Sequence, residues 1–530
     1  MSARSLPAPA PMTDAVAAAP AAARIDPVRL IIAALFVVLS SGYVWLQYGH
    51  ISMSLVVAAA FGAYMAMNIG ANDVANNVGP AVGARAMSLA MAIAIAAVFE
   101  AAGAIIAGGE VVGTIKGGII DPERVADSRV FVWLMMAALL AAALWLNLAT
   151  AIGAPVSTTH SIVGAVLGSG IAAAGWGIAN WGTMGSIVAS WVVSPVLGGL
   201  IAAGLLYLIK QRITYQSDLV EAARRMVPLL LALMAWSFVT YLCIKGLGAL
   251  VKLKIVPALG VGALAAAVTF VWVKARISRR AAAMDNHRDS VNQLFTLPLM
   301  AAAALLSFAH GSNDVANAIG PLAAINDALV SEGVHGKVAV PLWVMLLGAL
   351  GLAIGLALYG PRLIRTVGSE ITEIDPMRAW CIAMAATLTV IVASQLGLPV
   401  STTHVTIGAV FGVGFLREYL KANYQRIIAE IEAHHTAHET EKHEVEAFFA
   451  RFEAASRDEK SYMLKELKRQ SKAGQTPISK RERKELRRFH KQALVKRSIM
   501  LKVVAAWIIT VPASALMSAA IFLMIRGAAG

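Results

Sequence analysis

The sequence contains two phrases that each occur twice, in the same order. The first phrase is GANDVANNVGPAVGA at 70–84, and it returns as GSNDVANAIGPLAA at 311–324. The second phrase is PVSTTHSIVGAVLG at 155–168, and it returns as PVSTTHVTIGAVFG at 399–412. The copies are 241 residues apart for the first phrase and 244 for the second. Two phrases repeated at nearly the same spacing indicate a duplicated unit, so the chain must fold as two related halves.

The composition is that of a membrane protein. Of the 530 residues, 58% are hydrophobic and 14% are charged, whereas soluble domains carry about 25% charged residues. Two cysteines in apolar segments exclude a disulfide framework and a cysteine-based metal site. In such a chain, the net charge of +14 indicates an excess of basic residues in cytoplasmic loops rather than a nucleic-acid-binding patch. We predict a multi-pass membrane protein with no nucleic-acid partner, no resident metal and no cofactor.

Apolar and charged segments divide the chain into seven parts. The predicted parts are 1–28 (disordered cytoplasmic N-terminus), 29–47 (extra transmembrane helix), 51–210 (first repeat), 211–293 (linking helices and cytoplasmic loops), 294–417 (first part of the second repeat), 418–498 (charged helical cytoplasmic insertion) and 499–525 (last helix of the second repeat). Because a crossing helix needs about 20 apolar residues, these segments predict about 12 or 13 crossings.

Loop charge predicts that the two repeats enter the membrane from opposite sides. Arginines before the first helix place the N-terminus in the cytoplasm, so the first repeat starts outside. A basic stretch at 274–288 puts the start of the second repeat inside, and the insertion, with 19 Lys and Arg against 13 Asp and Glu, is placed inside as well. The predicted fold class is an all-α polytopic membrane protein with two inverted-topology repeats, whose broken helices meet at the midplane.

The second phrase predicts an anion site. Proline cannot continue an incoming helix, and Ser157 and Ser401 are good N-cap residues for the helices that follow. The first turn of a helix presents free N–H groups and the positive end of the helix dipole. Hydroxyl groups add donors that suit a tetrahedral oxyanion. The expected substrate-binding residues are Ser157, Thr158, Thr159, Ser401, Thr402 and Thr403.

The first phrase predicts a coupling site for cations. Asn, Asp, Gly and Pro interrupt helices, so we expect this phrase to be unwound in both copies. Carboxylate, amide and carbonyl oxygens then suit Na⁺, and the carboxylates could bind a proton instead. The expected coupling residues are Asn72, Asp73, Asn76, Asn313, Asp314 and Asn317.

Three further residues are candidates for coupling or proton relay. Glu100 lies in the middle of an apolar run, where the second repeat has Gly355 or a neighbour and no acid. Its alternative role is that of a buried acid bonded to a neighbouring helix. His160 and His404 end the second phrase, and they could relay protons, contact the anion, or donate to a backbone carbonyl.

These duplicated phrases resemble the inorganic phosphate transporter (PiT) family. EVVGTIKGGIIDP at 110–122, VGSEITEIDP at 367–376 and SWVVSP at 190–195 add to the resemblance, which covers about 51–417 and 499–525. The resemblance implies a symporter that imports inorganic phosphate across the cytoplasmic membrane with Na⁺ or H⁺, and it is compatible with a homodimer.

Within that resemblance, Asp73 and Asp314 would couple cations, the Ser-Thr-Thr triplets would bind phosphate, and Glu100 matches a family glutamate. The insertion departs from the family, because the large loop usually lies between the halves. Ser194 is matched by Thr510, which leaves the symmetry of the site open.

Several alternatives remain open at the level of sequence. The carried species could be sulfate or a neutral metal–phosphate complex. A membrane-bound enzyme acting on a phosphate ester could use Ser157 and His160 as nucleophile and base, although no acid lies nearby in the sequence to orient the histidine. A passive channel is a third class, but it would not need paired acids beside an anion site.

Overall fold

The computed structural model describes residues 26–50, 52–125, 127–151, 156–246, 253–330, 340–370, 375–422 and 497–529, together with nine residues between 447 and 470. The predicted N-terminal segment and most of the predicted insertion lie outside the described residues. The described part forms helices, and its only extended pairing is an isolated bridge between Ile120 and Ala179. The all-helical class predicted from the sequence is therefore confirmed.

Sixteen α-helices make up the described part of the chain, with short 3₁₀ or π turns between some of them. In chain order they are α1 Pro27–Tyr48, α2 Met53–Gly83, α3 Leu89–Ala107, α4 Gly109–Gly117, α5 Ser128–Ala151, α6 Thr158–Ala174, α7 Trp181–Ile209, α8 Leu219–Tyr241, α9 Ile255–Ala281, α10 Arg288–Leu294, α11 Thr296–Asp314, α12 Ala316–Val330, α13 Leu342–Glu370, α14 Pro376–Gln395, α15 Thr402–Ala422 and α16 Arg497–Ala529.

Ten of the described helices are long and apolar enough to cross a membrane, or eleven if α10 and the segment 296–330, bent by 41° against each other, form one span. The expected 12 or 13 crossings included α6 and α15. The first is an apolar helix of only 17 residues, and the second is not among the ten. Both helices begin at a buried non-helical segment rather than at a membrane surface. Neither helix therefore needs the length or the apolarity of a full span.

The prediction that the first phrase is unwound is wrong for the first copy. Helix α2 continues through Asn72, Asp73 and Asn76 without interruption. The second copy has only a one-residue turn at Val315, between α11 and α12. Asn and Asp disfavour helices when their side chains bond to nearby backbone. Here they bond mainly to groups on other segments, so they do not compete with the helix.

The second phrase does interrupt the helical structure in both halves. Helix α5 ends at Ala151 and α6 begins at Thr158, while α14 ends at Gln395 and α15 begins at Thr402. Ser157 is the N-cap of α6, and its hydroxyl accepts a hydrogen bond of 3.1 Å from the backbone N–H of His160. The hydroxyl of Ser401 accepts the matching bond of 3.3 Å from His404. The N-cap prediction is correct at both positions.

The two halves pack crosswise, which means that helices of one half pack against helices of the other half. Helix α2 packs on α13 and α3 on α11, while α6 packs on α16 and α7 on α15. Glycines allow the closest approaches: a Cβ atom at Gly70 would meet the carbonyl oxygen of Leu352, and one at Gly311 would meet that of Glu100. Since Gly70 and Gly311 are equivalent positions of the first phrase, Leu352 occupies the place that corresponds to Glu100.

Candidate functional site

Asp73 is the centre of a hydrogen-bond network that joins both halves. Its side chain is buried, and it accepts hydrogen bonds from Thr158 at 3.0 Å and from Thr403 at 2.8 Å. Asn72 donates to the same carboxylate at 3.1 Å, and Asn76 does so at 3.4 Å. The two phrases that the sequence separates by tens to hundreds of residues therefore meet at one carboxylate.

Asp314 occupies the equivalent place in the second half. It is fully buried and accepts a 3.1 Å hydrogen bond from Thr402, as Asp73 does from Thr158. Its second oxygen, Oδ1, has no hydrogen-bond partner among the described residues. The Nε2 atom of His310 lies 3.1 Å from Asp314 Oδ2 and 3.7 Å from Asp73 Oδ2. The two aspartates thus face a common space that one imidazole borders.

The amides of the first phrase make reciprocal contacts across the halves. Asn76 donates to the hydroxyl of Thr403 at 2.8 Å, and Asn317 donates to that of Thr159 at 3.1 Å. Each asparagine comes from one half and each threonine from the other. Such reciprocity holds the start of α6 and α15 against the opposite half.

Asn72 and Asn313 fix the position of the second phrase through its backbone. Asn72 donates to the carbonyl of Val156 at 3.2 Å. Asn313 donates to the carbonyl of Leu398 at 3.2 Å and accepts from the N–H of Val400 at 3.2 Å. These amides therefore position the non-helical segments that precede α6 and α15, in addition to lying beside the carboxylates.

Glu100 belongs to a polar cluster that has no counterpart in the other half. It is fully buried, accepts a 2.8 Å hydrogen bond from Asn77, and lies 3.2 Å from His310 Nδ1. The corresponding positions in the other half are Ala318, Leu352 and Ile69, which are all apolar. Glu100 does bond to a neighbouring helix, as the alternative role required, but its partner His310 connects it to the aspartates.

His310 is a site residue that was not predicted from the sequence. It lies four positions before Asp314, and the equivalent residue of the first copy is Ile69, so the duplicated pattern does not include it. A charged or polar residue in the middle of an apolar helix was the available signal, the same one that identified Glu100.

His160 and His404 lie apart from the carboxylates. Their rings contact each other edge to face with centroids 4.5 Å apart, and each packs against a tryptophan: Trp191 at 3.8 Å and Trp507 at 3.7 Å. None of their ring nitrogens has a hydrogen-bond partner within the described residues. Of the roles left open by the sequence, donation to a backbone carbonyl is not seen among the described residues, and a relay to the aspartates has no direct contact to support it.

Three carboxylates are buried in this site with little positive charge around them. Within the described residues, the ion pairs of Asp73, Glu100 and Asp314 are all with His310. Lys116 is buried as well, but it pairs with Asp327. Burying a charge without compensation is costly in a low-dielectric interior. When all three carboxylates are ionised, one imidazolium ion does not balance their charge, so the site can accept cations from solution.

Comparisons with known proteins identify the family to which this chain belongs. A model of the phosphate transporter family matches residues 69–518. A protein of Helicobacter pylori that is named as a candidate phosphate permease is 50% identical over 510 residues, which cover 94% of this chain and 95% of that protein. The chain belongs to the phosphate transporter family. A candidate phosphate permease of Pyrococcus abyssi is 39% identical over 377 residues, covering 71% and 92% of the two chains.

A solved structure shares the fold of this phosphate transporter family member. It is described as a sodium-dependent phosphate transporter, is 30% identical in sequence and superposes with a TM-score of 0.72. The match covers 90% of this chain and 99% of that one. The family and its many apolar helices establish a multi-pass membrane transporter rather than an enzyme.

Proposed function

We propose that this protein is a secondary symporter that imports inorganic phosphate across the cytoplasmic membrane, driven by Na⁺. One observation carries the proposal: the threonine hydroxyls of both PVSTTH phrases donate directly to the buried aspartates. Groups suited to an oxyanion and groups suited to a cation are thus parts of one network. Binding of one ion must then alter the environment of the other, which is what coupled transport requires.

Electrostatics explains why the anion needs cations. Moving each negative charge into a cell against a membrane potential costs about 2.3 kcal/mol per 100 mV. Hydrogen phosphate carries two negative charges, and the site adds three buried carboxylates. Co-transported cations offset both, so the aspartates serve as the acceptors of the driving ion.

The donor set around Asp73 favours Na⁺ over H⁺ as the driving ion. The carboxylate of Asp73 and the hydroxyl oxygen of Thr403 lie together there, beside the amide group of Asn76, and hard cations prefer such oxygen ligands. The solved relative is described as sodium-dependent, which supports the same ion. A proton remains the competing outcome that the experiment below must separate.

We further propose that the two halves are inverted repeats and that transport follows alternating access. The reciprocal contacts of Asn76 with Thr403 and of Asn317 with Thr159 support a two-fold relation between the halves. The crosswise packing of α2 with α13 and of α11 with α3 supports the same relation. Inverted repeats around a central site are typical of secondary transporters.

Uptake into proteoliposomes tests the proposal. Purified protein is reconstituted, and radiolabelled phosphate uptake is measured under an inward Na⁺ gradient at equal pH, and separately under a pH gradient without Na⁺. Accumulation above equilibrium with the Na⁺ gradient alone is the expected result. Accumulation under the pH gradient alone would replace Na⁺ by H⁺, and equal inhibition by unlabelled sulfate and phosphate would assign sulfate to the site. Uptake that never exceeds equilibrium would identify a channel and overturn the proposal.

A further inference from the structure

We propose that Asp73, His310 and Asp314 form a binding site for one divalent transition-metal ion, of the Zn²⁺ or Co²⁺ type, which competes with Na⁺ for the two aspartates. The inference rests on the proposed function, because it concerns the same carboxylates. It departs from the sequence-based expectation of no metal site, which did not include His310.

The three ligand atoms have the spacing of a metal site. His310 offers Nε2, each aspartate offers a carboxylate oxygen, and these atoms all lie within 4.8 Å of one another. Nε2 is 3.1 Å from Asp314 Oδ2 and 3.7 Å from Asp73 Oδ2. Tetrahedral zinc bonds of about 2.0–2.1 Å place neighbouring ligand atoms roughly 3.3 Å apart. The two separations from Nε2 lie on either side of that value, and the aspartate oxygens are within 4.8 Å of each other, so side-chain shifts that bring the oxygens together would complete the site.

Glu100 lies beside the second ring nitrogen of His310, the position from which a carboxylate commonly orients a metal-binding histidine. Its Oε1 atom lies 3.2 Å from His310 Nδ1, on the side of the ring opposite the aspartates. Metal-ligating histidines commonly direct their second ring nitrogen at a carboxylate, which fixes the tautomer and leaves the other nitrogen free to bind. Asn77 holds Glu100 in turn through a 2.8 Å hydrogen bond. Glu100 is thus a positioning residue that acts through His310.

His310 provides an observation independent of the acidic residues. Its side chain is fully buried, and neither ring nitrogen forms a hydrogen bond of good geometry within the described residues. Three carboxylates lie within ion-pair distance of the ring, but a buried polar group that forms no hydrogen bond is costly. Nε2 points at the space between the two aspartates, where an ion would satisfy it.

The nitrogen ligand decides the class of metal. Na⁺, Mg²⁺ and Ca²⁺ prefer oxygen ligands, whereas imidazole suits Zn²⁺ and its transition-metal neighbours. A doubly charged ion would also neutralise Asp73 and Asp314 together, where two Na⁺ ions would otherwise be needed. Because the position equivalent to His310 is Ile69, the structure supports one such ion per chain rather than two.

The test measures Co²⁺ binding to the purified full-length protein. To exclude binding by the histidine-containing insertion, His434, His435, His438 and His443 are replaced by alanine in every variant. We expect one Co²⁺ per chain, with ligand-field absorption that indicates a nitrogen ligand and with loss of bound Co²⁺ as Na⁺ is added. His310→Asn should abolish this binding, and Glu100→Gln should weaken it by about 10–100-fold, the usual effect of changing a partner of a ligating histidine.

His160→Asn is the matched control, because His160 is also buried in the core but contacts Trp191 and His404 rather than a carboxylate. Its Co²⁺ affinity should equal that of the parent. Unchanged Co²⁺ binding in the His310→Asn variant, or the absence of binding to a parent protein that still accumulates phosphate under a Na⁺ gradient, would overturn the metal site and leave the proposed function standing. Co²⁺ binding in a protein without Na⁺-driven uptake would overturn the proposed function and leave the metal site standing.

Discussion

Thr403 donates a 2.8 Å hydrogen bond to Asp73, although the two residues are 330 positions apart and belong to different repeats. The contact places a hydroxyl of the second phrase in one half against a carboxylate of the first phrase in the other. Thr159 is the residue equivalent to Thr403, but its hydroxyl donates to the backbone carbonyl of Val400 at 3.0 Å instead of to an aspartate. The two halves are therefore related but not equivalent in the hydrogen bonds around the aspartates.

That difference predicts unequal effects of two matched substitutions. Thr403→Val removes a hydrogen bond to a charged group, which is worth about 1.5–3 kcal/mol, whereas Thr159→Val removes a neutral one worth about 0.5–1.5 kcal/mol. We expect the Thr403 variant to lower apparent Na⁺ affinity by roughly tenfold or more. Measuring phosphate uptake as a function of Na⁺ concentration for both variants checks this, and equal shifts would show that the asymmetry has no energetic weight.

The aspartates should be essential for driven uptake. Asp73→Asn and Asp314→Asn keep the shape of the side chain but remove the charge that neutralises the cation, so each variant should fail to concentrate phosphate. Asp121→Asn is the control, since Asp121 is partly exposed and pairs with the exposed Arg124. Uptake against the phosphate gradient by either Asn variant at normal abundance would make these aspartates structural.

The hydroxyls should contribute to phosphate affinity without being indispensable. The double variants Ser157→Ala/Thr158→Ala and Ser401→Ala/Thr402→Ala each remove a serine hydroxyl and a threonine hydroxyl, and the threonine must turn from its aspartate to reach the anion. A bond to a charged partner is worth about 1.5–3 kcal/mol, and the backbone N–H groups at the start of α6 and α15 remain. Binding of phosphate to purified protein should weaken by roughly tenfold or more.

Because Ser157 also caps α6, its loss costs about 1 kcal/mol of stability, and folding must be controlled separately. Ser169→Ala serves that purpose, since Ser169 lies in the same helix and, among the described residues, bonds only to the helix backbone. Parental affinity in the double variants would place the anion elsewhere.

The crosswise packing predicts which glycines tolerate a methyl group. Gly70→Ala and Gly311→Ala would press a Cβ atom onto a backbone carbonyl of the facing helix, and overpacking of this kind costs about 1–3 kcal/mol. Gly204→Ala in α7 meets nothing within 4 Å and should be neutral or stabilising, because alanine is the better helix former. Thermal unfolding of detergent-solubilised protein compares the three, and parental stability of Gly70→Ala would contradict the close contact.

Loop charge predicts the orientation of the whole chain. The N-terminus and the insertion at 418–498 should both be cytoplasmic, in line with their basic character. With Cys243 and Cys381 replaced by alanine, a single cysteine introduced as Lys468→Cys should be protected from an impermeant thiol reagent in intact cells and labelled after lysis. Labelling in intact cells would invert the assignment.

Much of the architecture follows from the sequence because duplication and capping are local signals. The paired phrases identify both halves, and Ser157 and Ser401 mark the start of α6 and α15 by their residue type and position alone. The continuity of α2 through Asp73 does not follow, since it depends on Thr158 and Thr403 arriving from distant segments to satisfy the polar side chains. Propensity alone favours an unwound phrase there, and tertiary contacts override it.

The symmetric part of the site can be predicted from the sequence, whereas the asymmetric part can be predicted only for Glu100 and not for His310. Asp73 and Asp314 recur at the same place in each copy, so repetition identifies them. His310 has an apolar counterpart, and only the packing of α3 against α11 brings it to Glu100. Glu100 also lacks a counterpart in the other copy, but an acid within an apolar run identifies it from the sequence.

Crosswise packing has a consequence for how the protein is made. Helix α6, which begins one side of the site, packs on α16, the last described helix of the chain. During synthesis, α6 therefore lacks its partner until the chain has been made and inserted as far as α16. The first half is not an independent folding unit, and this side of the site is complete only after α16 has been inserted. A chain truncated before α16 should accordingly be inserted yet degraded by quality control, rather than act as a partly active transporter.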